Sequence, residues 1–301
     1  MSDAFVHSAA LMGTVVSIEV VGHGATDQQR ADRGHAVERA FDWFHHIEAL
    51  CTRFVATSEV RQLTAHVGKP VAVSAVVYEV VQFAIALAEE SGGAFDPTVG
   101  HRMETHGFDR EYRTGQRVRT DVGPESRVSY RDVHVDAANK TITLLRPLVL
   151  DLGAVAKGLA VDMAARELEP FENFAIDAGG DLYLGGSNRD GAPWSVGIRH
   201  PRDEHSLIDT MHVSNVAVCT SGDYERRTPD NEFAHHIIDP RTGLSVKTVA
   251  SATVVAPLAM VADGLATAAF VLGPVHGLEL LERHGVKGLI ITPALDKLAT
   301  Q

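Results

Sequence analysis

Asp263 stands in the most apolar stretch of the chain, Ala259-Met260-Val261-Ala262-Asp263-Gly264-Leu265-Ala266-Thr267-Ala268-Ala269-Phe270. A helix of this composition should be buried, and a buried carboxylate is costly unless it is paired or binds a cation. Thr267 lies four residues on, on the same helix face. A carboxylate and a hydroxyl are hard oxygen donors. They suit Mg²⁺, completed by backbone carbonyls, waters and substrate phosphates. The competing reading is an Asp that caps a helix starting later, with Thr267 bonding back onto its own helix.

His236 precedes Ile237-Ile238-Asp239. Histidine is the usual general base near neutral pH. The plainer reading is a packed strand residue with a satisfied hydrogen bond. Thr220-Ser221-Gly222 offers hydroxyls, but no Gly-x-Ser-x-Gly elbow surrounds them. Asp151 and Asp177 each follow an apolar run and are flanked by glycines, which let a ligand approach the backbone. A helix should start beside Asp151, and its free N–H groups suit a phosphate. Two ordinary polar turns explain the same residues. The glycine pairs 179-180 and 185-186 do not form the dinucleotide fingerprint.

These residues need elements to hold them. Val155, Leu159 and Met163 recur four apart, which predicts a helix after Gly153 that Pro170 stops. Phe174-Ala175-Ile176 predicts a short strand, and residues 177–181 a tight turn. Residues 27–54 carry Val37, Phe41, Phe44, Ile47 and Leu50 at helical spacing, and 74–90 reads the same way up to a glycine cap at Gly92-Gly93. Residues 9–21 read as a strand with a turn or close backbone approach at Met12-Gly13-Thr14. Ser58 either caps a short helix from Glu59 or marks a bare turn. Strands are predicted at 71–73, across 129–150 with a turn at Ala138-Asn139, and at 194–198, 213–220, 251–256 and 288–292. His235 to Ile238 reads as a strand entering the turn at Asp239-Pro240. Residues 101–127 are polar and read as a long loop or a cover over a pocket. Their arginines form either a solvated face or a site for anions.

The bulk numbers exclude several classes. With 301 residues, 45% hydrophobic and 22% charged, the chain can bury a large core in one domain or two intimate lobes. A net charge of −12 disfavours nucleic acid and anionic membranes as partners. Cys51 and Cys219 allow at most one disulfide, so a reducing compartment is the default. No run of about 18 apolar residues predicts a membrane span. The sixteen histidines show no metal-finger spacing.

Nine segments, in this order, resemble the FAD:protein FMN transferase (ApbE) family. They are Met12-Gly13-Thr14; Arg53-Phe54 with Ser58-Glu59; Gly93 through Gly100 (GAFDPTVG); and Asp151 through Gly158 (DLGAVAKG). Ile176 through Gly180 (IDAGG), Trp194 with Val196-Gly197-Ile198, and Thr220 through Arg226 (TSGDYER) follow. His236 through Gly243 (HIIDPRTG) and Ala262-Asp263 with Ala266-Thr267 complete the set. They span almost the whole chain.

The resemblance implies an α+β fold of antiparallel sheets with packed helices, as one domain over 1–301 in two lobes around a cleft. It implies an enzyme that splits FAD and transfers FMN to a Ser or Thr hydroxyl of an acceptor protein, releasing AMP with Mg²⁺ assisting. By position, FAD would lie against Met12, Ala94, Phe95, Asp96, Asp151, Lys157 and Ile238. Asp263 and Thr267, with the carbonyls of Ala154 and Ala266, would hold the metal. His236 matches the histidine that activates the acceptor hydroxyl. The alternatives are an Mg²⁺-dependent FAD pyrophosphatase giving FMN and AMP, and an FAD-binding protein without turnover. Many family members carry a lipoprotein signal. This sequence shows none, which predicts a cytoplasmic protein. After Val99-Gly100 the family often has Pro-Leu and an aromatic-rich stretch, where this chain has His101-Arg102-Met103-Glu104.

Overall fold

The computed structural model describes residues 2–23, 26–120, 122, 127–228 and 231–301. Strands β1 (Ser2–Leu11) and β2 (Thr14–His23) form a hairpin closed by Met12-Gly13. Both turn residues have positive φ, 52° and 74°, as the commonest two-residue hairpin turn demands. The predicted turn is therefore present, and the strand before it reaches back to Ser2. Thr26 and Gln29 form a capping box at the start of α1 (Asp27–Cys51). This helix buries Ala36, Val37, Ala40, Phe41, Phe44 and Ile47. It ends three residues short of the predicted Phe54, because Arg53 leaves the helix to meet Asp151.

Ser58 does cap α2 (Glu59–Ala65), accepting from the Arg61 N–H at 3.2 Å. β3 (Val71–Ala72) leads to α3 (Ala75–Glu90), which Ser74 caps and Gly92-Gly93 follow at positive φ. The predicted loop beyond it contains a short helix, α4 (Gly100–Thr105), and a bridge between Arg110 and Arg117. β4 (Val133–Asp136) and β5 (Thr141–Leu144) make a small sheet with β3. Its turn is held by Asp136, whose Oδ1 accepts from the N–H groups of Ala138 and Asn139.

The strand expected to run up to Leu150 stops at Leu144. Leu148, Val149 and Leu150 are fully buried but paired only through one bridge, Val99 to Val149. Asp151 therefore follows a buried connection and not a strand end. Its N–H donates to the Pro97 carbonyl at 2.8 Å. A Cβ on Gly100 would fall 2.6 Å from the Val149 carbonyl oxygen, so only glycine allows the two segments this close.

Helix α5 (Gly153–Leu168) runs as predicted, with Val155 and Leu159 buried and Met163 only partly so. Then come β6 (Phe174–Ala178), β7 (Asp181–Gly185), β8 (Trp194–His200), β9 (Asp203–Val213) and β10 (Val216–Gly222). β9 was not predicted, and it takes Val213 out of the strand expected at 213–220. The short pair β11 (Arg227–Thr228) and β12 (Asn231–His235) precedes β13 (Ser251–Ala256). α6 (Ala259–Leu272), α7 (Pro274–Arg283), β14 (Lys287–Ile291) and β15 (Lys297–Ala299) close the chain. β12 ends at His235, so His236 lies beyond the strand expected to carry it.

Eight strands form the main sheet in the order β1-β2-β6-β7-β10-β13-β14-β15, and each neighbouring pair is antiparallel. Ala217 and Cys219 of β10 enter the main core with α1, α5 and α6. Val218, between them, joins a second cluster under the β8–β9 hairpin, with Leu184, Val196, Ile198 and Ile291. Alternate side chains of a strand face opposite ways, so β10 is apolar from Val216 to Cys219 because both its faces are covered there, and the hydroxyls of Thr220 and Ser221 follow. The class is α+β, as expected. Cys51 and Cys219 are buried free thiols. Among the described residues, no helix is long and apolar enough to cross a membrane.

Candidate active site

Helices α5 and α6 touch at Gly158. A Cβ there would meet the Ala259 carbonyl oxygen and the Met260 Cα at 2.5 Å. Asp162, one turn further along α5, fixes this contact. Its Oδ1 accepts from the Ala259 N–H at 2.6 Å, and its Oδ2 from the Met260 N–H at 3.0 Å. A carboxylate from one helix thus caps the positive end of the other. Burial pushes Asp162 up to about 6, against those two hydrogen bonds.

The crossing brings Asp263 against the start of α5. Asp263 is 6% exposed, and its Oδ2 has no hydrogen-bond partner. It lies in the second turn of α6, whose N-cap is Leu258, so the capping alternative does not hold. The Gly158 backbone N–H and the Lys157 charge both act on its carboxylate, which places Asp263 near the second turn of α5. The helical acceptor for the Gly158 N–H is the Ala154 carbonyl four residues back. Burial raises Asp263 to about 6, against the charge of Lys157, the Gly158 hydrogen bond and the charge of Arg226. Thr267 is half-buried, with its hydroxyl 3.0 Å from the Ser221 hydroxyl of β10, so it does not turn back onto its helix. Ala266 is fully buried beside it. The Lys157 ammonium is paired with Asp181 of β7, which is 2% exposed. Among the described residues, no three His, Cys, Asp or Glu side chains gather into a metal cage. The donors here are one carboxylate, one hydroxyl and helix carbonyls, which suit a hard cation that keeps waters or phosphate oxygens. The unpartnered buried Oδ2 fits such an ion.

Asp151 forms the second group. Its Oδ2 accepts from Arg53 Nε at 2.8 Å and its Oδ1 from the Gly153 N–H at 2.9 Å. The predicted anion position at the start of α5 is thus taken by this carboxylate itself. Burial alone would raise its pKa. The Arg53 charge and the Gly153 hydrogen bond prevail and hold it below the usual carboxylate range. Asp177, its supposed counterpart, is exposed and bonds only into its own turn, to the Gly180 N–H.

His236 lies near the second group, where the Asp151 charge acts on its ring. Its N–H donates to the Arg226 carbonyl at 3.1 Å, and its ring stands edge-on to Phe108 at 6.4 Å. Ring Nδ1 is buried with no partner. Desolvation lowers its pKa to about 3, helped by the charge of Arg226. Residues 101–120 do form a cover. Phe108 gives its carbonyl to Arg53 and its ring to His236, and Arg102 reaches the Pro240 carbonyl. The arginines of the cover are paired within the protein, Arg119 with Asp109 and Arg113 with Glu48, and both are more than half exposed, which favours the reading as a solvated face.

The Met12 N–H donates to Glu48 Oε1 at 3.1 Å. Ala94 and Phe95 are buried. Asp96 is engaged internally on both oxygens: Oδ1 takes Thr98 N–H and hydroxyl, and Oδ2 takes the Tyr130 N–H. Burial raises it above the usual range against those bonds. Ile238 is buried and bridges to Ser245.

Sequence reasoning missed four residues here. Asp162 carried a legible signal, an acid within an apolar helix. Arg53 and Arg226 lay inside quoted segments without being given a role. The Arg226 guanidinium comes 3.5 Å from where a Cβ on Gly13 would sit, and its charge bears on Asp151, His236 and Asp263. Glu48 offered no local signal, since its partners are remote in sequence.

Comparison with known proteins agrees with this fold. The model of the ApbE family matches residues 12–290. The FAD:protein FMN transferase of Vibrio cholerae serotype O1 is 35% identical over 247 residues, 79% of this chain and 74% of that protein. That of Haemophilus influenzae is 30% identical over 301 residues, 94% of this chain and 85% of that protein. The crystal structure of the ApbE protein from Thermotoga maritima superposes with a TM-score of 0.87 at 30% identity, covering 99% of this chain and 97% of that one. The flavin transferase ApbE from Vibrio cholerae gives 0.83 at 28%, covering 100% and 98%.

Proposed function

The chain belongs to the ApbE family, and from that premise we propose that it transfers FMN from FAD to a Ser or Thr hydroxyl of an acceptor protein, releasing AMP. Asp263, Thr267 and the carbonyls of Ala154 and Ala266 hold Mg²⁺ in this reading. The observation that carries it is the buried, unpartnered Oδ2 of Asp263, one turn from Thr267 on a carboxylate that Lys157 and Gly158 of α5 act on. When bound, the ion supplies charge neutralisation on the diphosphate.

This chain's own residues do the rest. Met12, Ala94, Phe95 and Ile238 form the wall against which FAD lies. Asp96 and Asp151 act mainly by shaping it: Asp96 locks the turn at Pro97, and Asp151 holds Arg53 and the first turn of α5. Lys157 neutralises Asp181 and bears on Asp263, so it sets the charge balance near the metal. Arg226 faces the diphosphate. The neutral imidazole of His236 takes the acceptor hydroxyl proton as that oxygen bonds to the FMN phosphorus. The bond from that phosphorus to the AMP oxygen breaks, and AMP leaves with the electron pair.

The test is to incubate the protein with FAD, Mg²⁺ and a lysate containing acceptors, and to follow AMP release alongside fluorescent flavin bands in denaturing gels. Both signals should require Mg²⁺ and acceptor. AMP released at the same rate without acceptor would make the protein a pyrophosphatase. Unchanged FAD after hours would make it a binding protein.

A further inference from the structure

His235, the neighbour of the proposed base, has a structural role of unusual completeness. Its ring is 4% exposed. Nε2 lies 2.6 Å from the Val246 carbonyl oxygen, which can only accept, so Nε2 carries the proton. Nδ1 lies 3.2 Å from the Ile237 N–H, which can only donate, so Nδ1 is unprotonated. The two partners select one neutral tautomer. The main chain is tied down as well. The His235 N–H donates to Ser245 Oγ at 3.1 Å, and that hydroxyl donates to the His235 carbonyl at 2.7 Å. The Val246 N–H then donates to the Ile237 carbonyl at 3.2 Å. Residues 235 and 237 are thus fastened on either side of His236.

The ring also meets α6. It stands edge-on to Phe270 at 5.7 Å, with an interplanar angle of 81°. Phe270 is fully buried. It lies two helical turns beyond Asp263 and three residues beyond Thr267, on the same side of the helix. One side chain therefore touches both the strand end that presents His236 and the helix that presents Asp263.

We propose that His235 is a positioning residue for the transfer reaction, a neutral two-sided clamp that holds His236 in register with helix α6. This rests on the reading of His236 as the base. The clamp acts on placement, so its loss should lower kcat and leave the KM for FAD nearly unchanged.

The experiment compares His235→Leu, His235→Asn and His235→Gln with wild type, each also made in a His236→Ala background. Asn keeps an acceptor near the Nδ1 position and Gln a donor near Nε2. In the His235→Leu enzyme kcat should fall about 10–100-fold, the scale of misplacing a catalytic group by about 1 Å, with KM for FAD within about twofold. Asn or Gln should recover part of the loss. If Leu does not fold, the Asn and Gln enzymes carry the same comparison against wild type. In the His236→Ala background the His235 substitutions should cost nothing further. Unchanged kcat in folded His235 variants overturns the inference, as does an equal loss in the His236→Ala background. Wild-type transfer by His236→Ala alone would overturn the base assignment, and the inference with it.

Discussion

Asp263 shows what a single residue can hold in reserve. Its pKa is raised to about 6 by burial, against an unfolded value near 3.8. The folded protein then keeps this proton to higher pH than the unfolded chain. The stability from the neutral acid is present below about 4 and is lost as pH rises through about 6. At neutral pH the metal-free carboxylate is a burden that a cation relieves. Mg²⁺ should therefore raise the melting temperature at pH 7.5, and the gain should shrink below pH 6 as protons compete. Asp263→Asn should melt higher than metal-free wild type and show no Mg²⁺ response. An Mg²⁺ response surviving in Asp263→Asn would move the metal elsewhere. Thr267→Val should weaken the response without abolishing it, since water can replace one neutral ligand.

His236 is displaced in the opposite direction. With a pKa of about 3 in the ligand-free protein, its ring is neutral but only weakly basic. A negative diphosphate near Arg226 would offset that guanidinium and favour the protonated ring, raising the pKa toward the working range. A ring titration followed by NMR should move upward when FAD binds. His236→Ala should keep FAD affinity and lose about 10²–10⁴-fold in transfer. Asp263, Thr267 and His236 could be singled out as candidates because their types contradict their apolar surroundings. Arg226 and Glu48 are ordinary surface types, and only the folded chain shows what they face.

At the scale of elements, the crossing of α5 and α6 decides whether the site exists. Gly158 lets the helices touch, and Asp162 pins the first N–H groups of α6. Gly158→Ala places a methyl against backbone, so the helices must part, at a cost of about 1–3 kcal/mol. Asp162→Ala leaves two buried N–H groups unpaired, at about 1–3 kcal/mol each. Both variants should lower the melting temperature and also weaken the Mg²⁺ response, because Ala154 and Asp263 separate. A variant that lost stability but kept the full Mg²⁺ response would show that the crossing does not set the metal distance. The helices themselves were readable from their period: Ser58 takes the capping role that was one of its two readings, and the helix read over 74–90 starts just after its cap, Ser74. The misses have a common cause. Leu148-Val149-Leu150 is apolar because it is buried under residues 97–100, not because it pairs in a ladder. β9 alternates weakly because the β8–β9 hairpin is only partly covered, so its period gave no signal.

For the whole molecule, the proposed site draws on residues 12 to 267, and something must fasten the hairpin turn and the cover to the helical layer. Glu48 on α1 does this with one carboxylate. Oε1 takes the Met12 N–H at 3.1 Å, and Oε2 takes the Arg113 guanidinium. Arg113 Nε in turn donates to the Tyr112 hydroxyl at 2.9 Å, and the Tyr112 ring closes over Gly13. Met12 sits at a φ of 52°, which a non-glycine residue adopts only when held. Glu48→Gln keeps an acceptor for Met12 and loses only the charge pairing with a half-exposed Arg113, a contact worth about 0–1 kcal/mol. Glu48→Ala releases both the turn and the cover. Losing a hydrogen bond to a charged group costs about 1.5–3 kcal/mol, so the KM for FAD should rise by about tenfold or more in Glu48→Ala. The glutamine enzyme should stay close to wild type. Because neither variant touches His236 or Asp263, kcat at saturating FAD should hold in both. Steady-state transfer rates against FAD concentration decide the matter. An unchanged KM in Glu48→Ala would show that the turn and the cover are held from elsewhere. A fallen kcat would show instead that the cover also places the base, through Phe108 against the His236 ring.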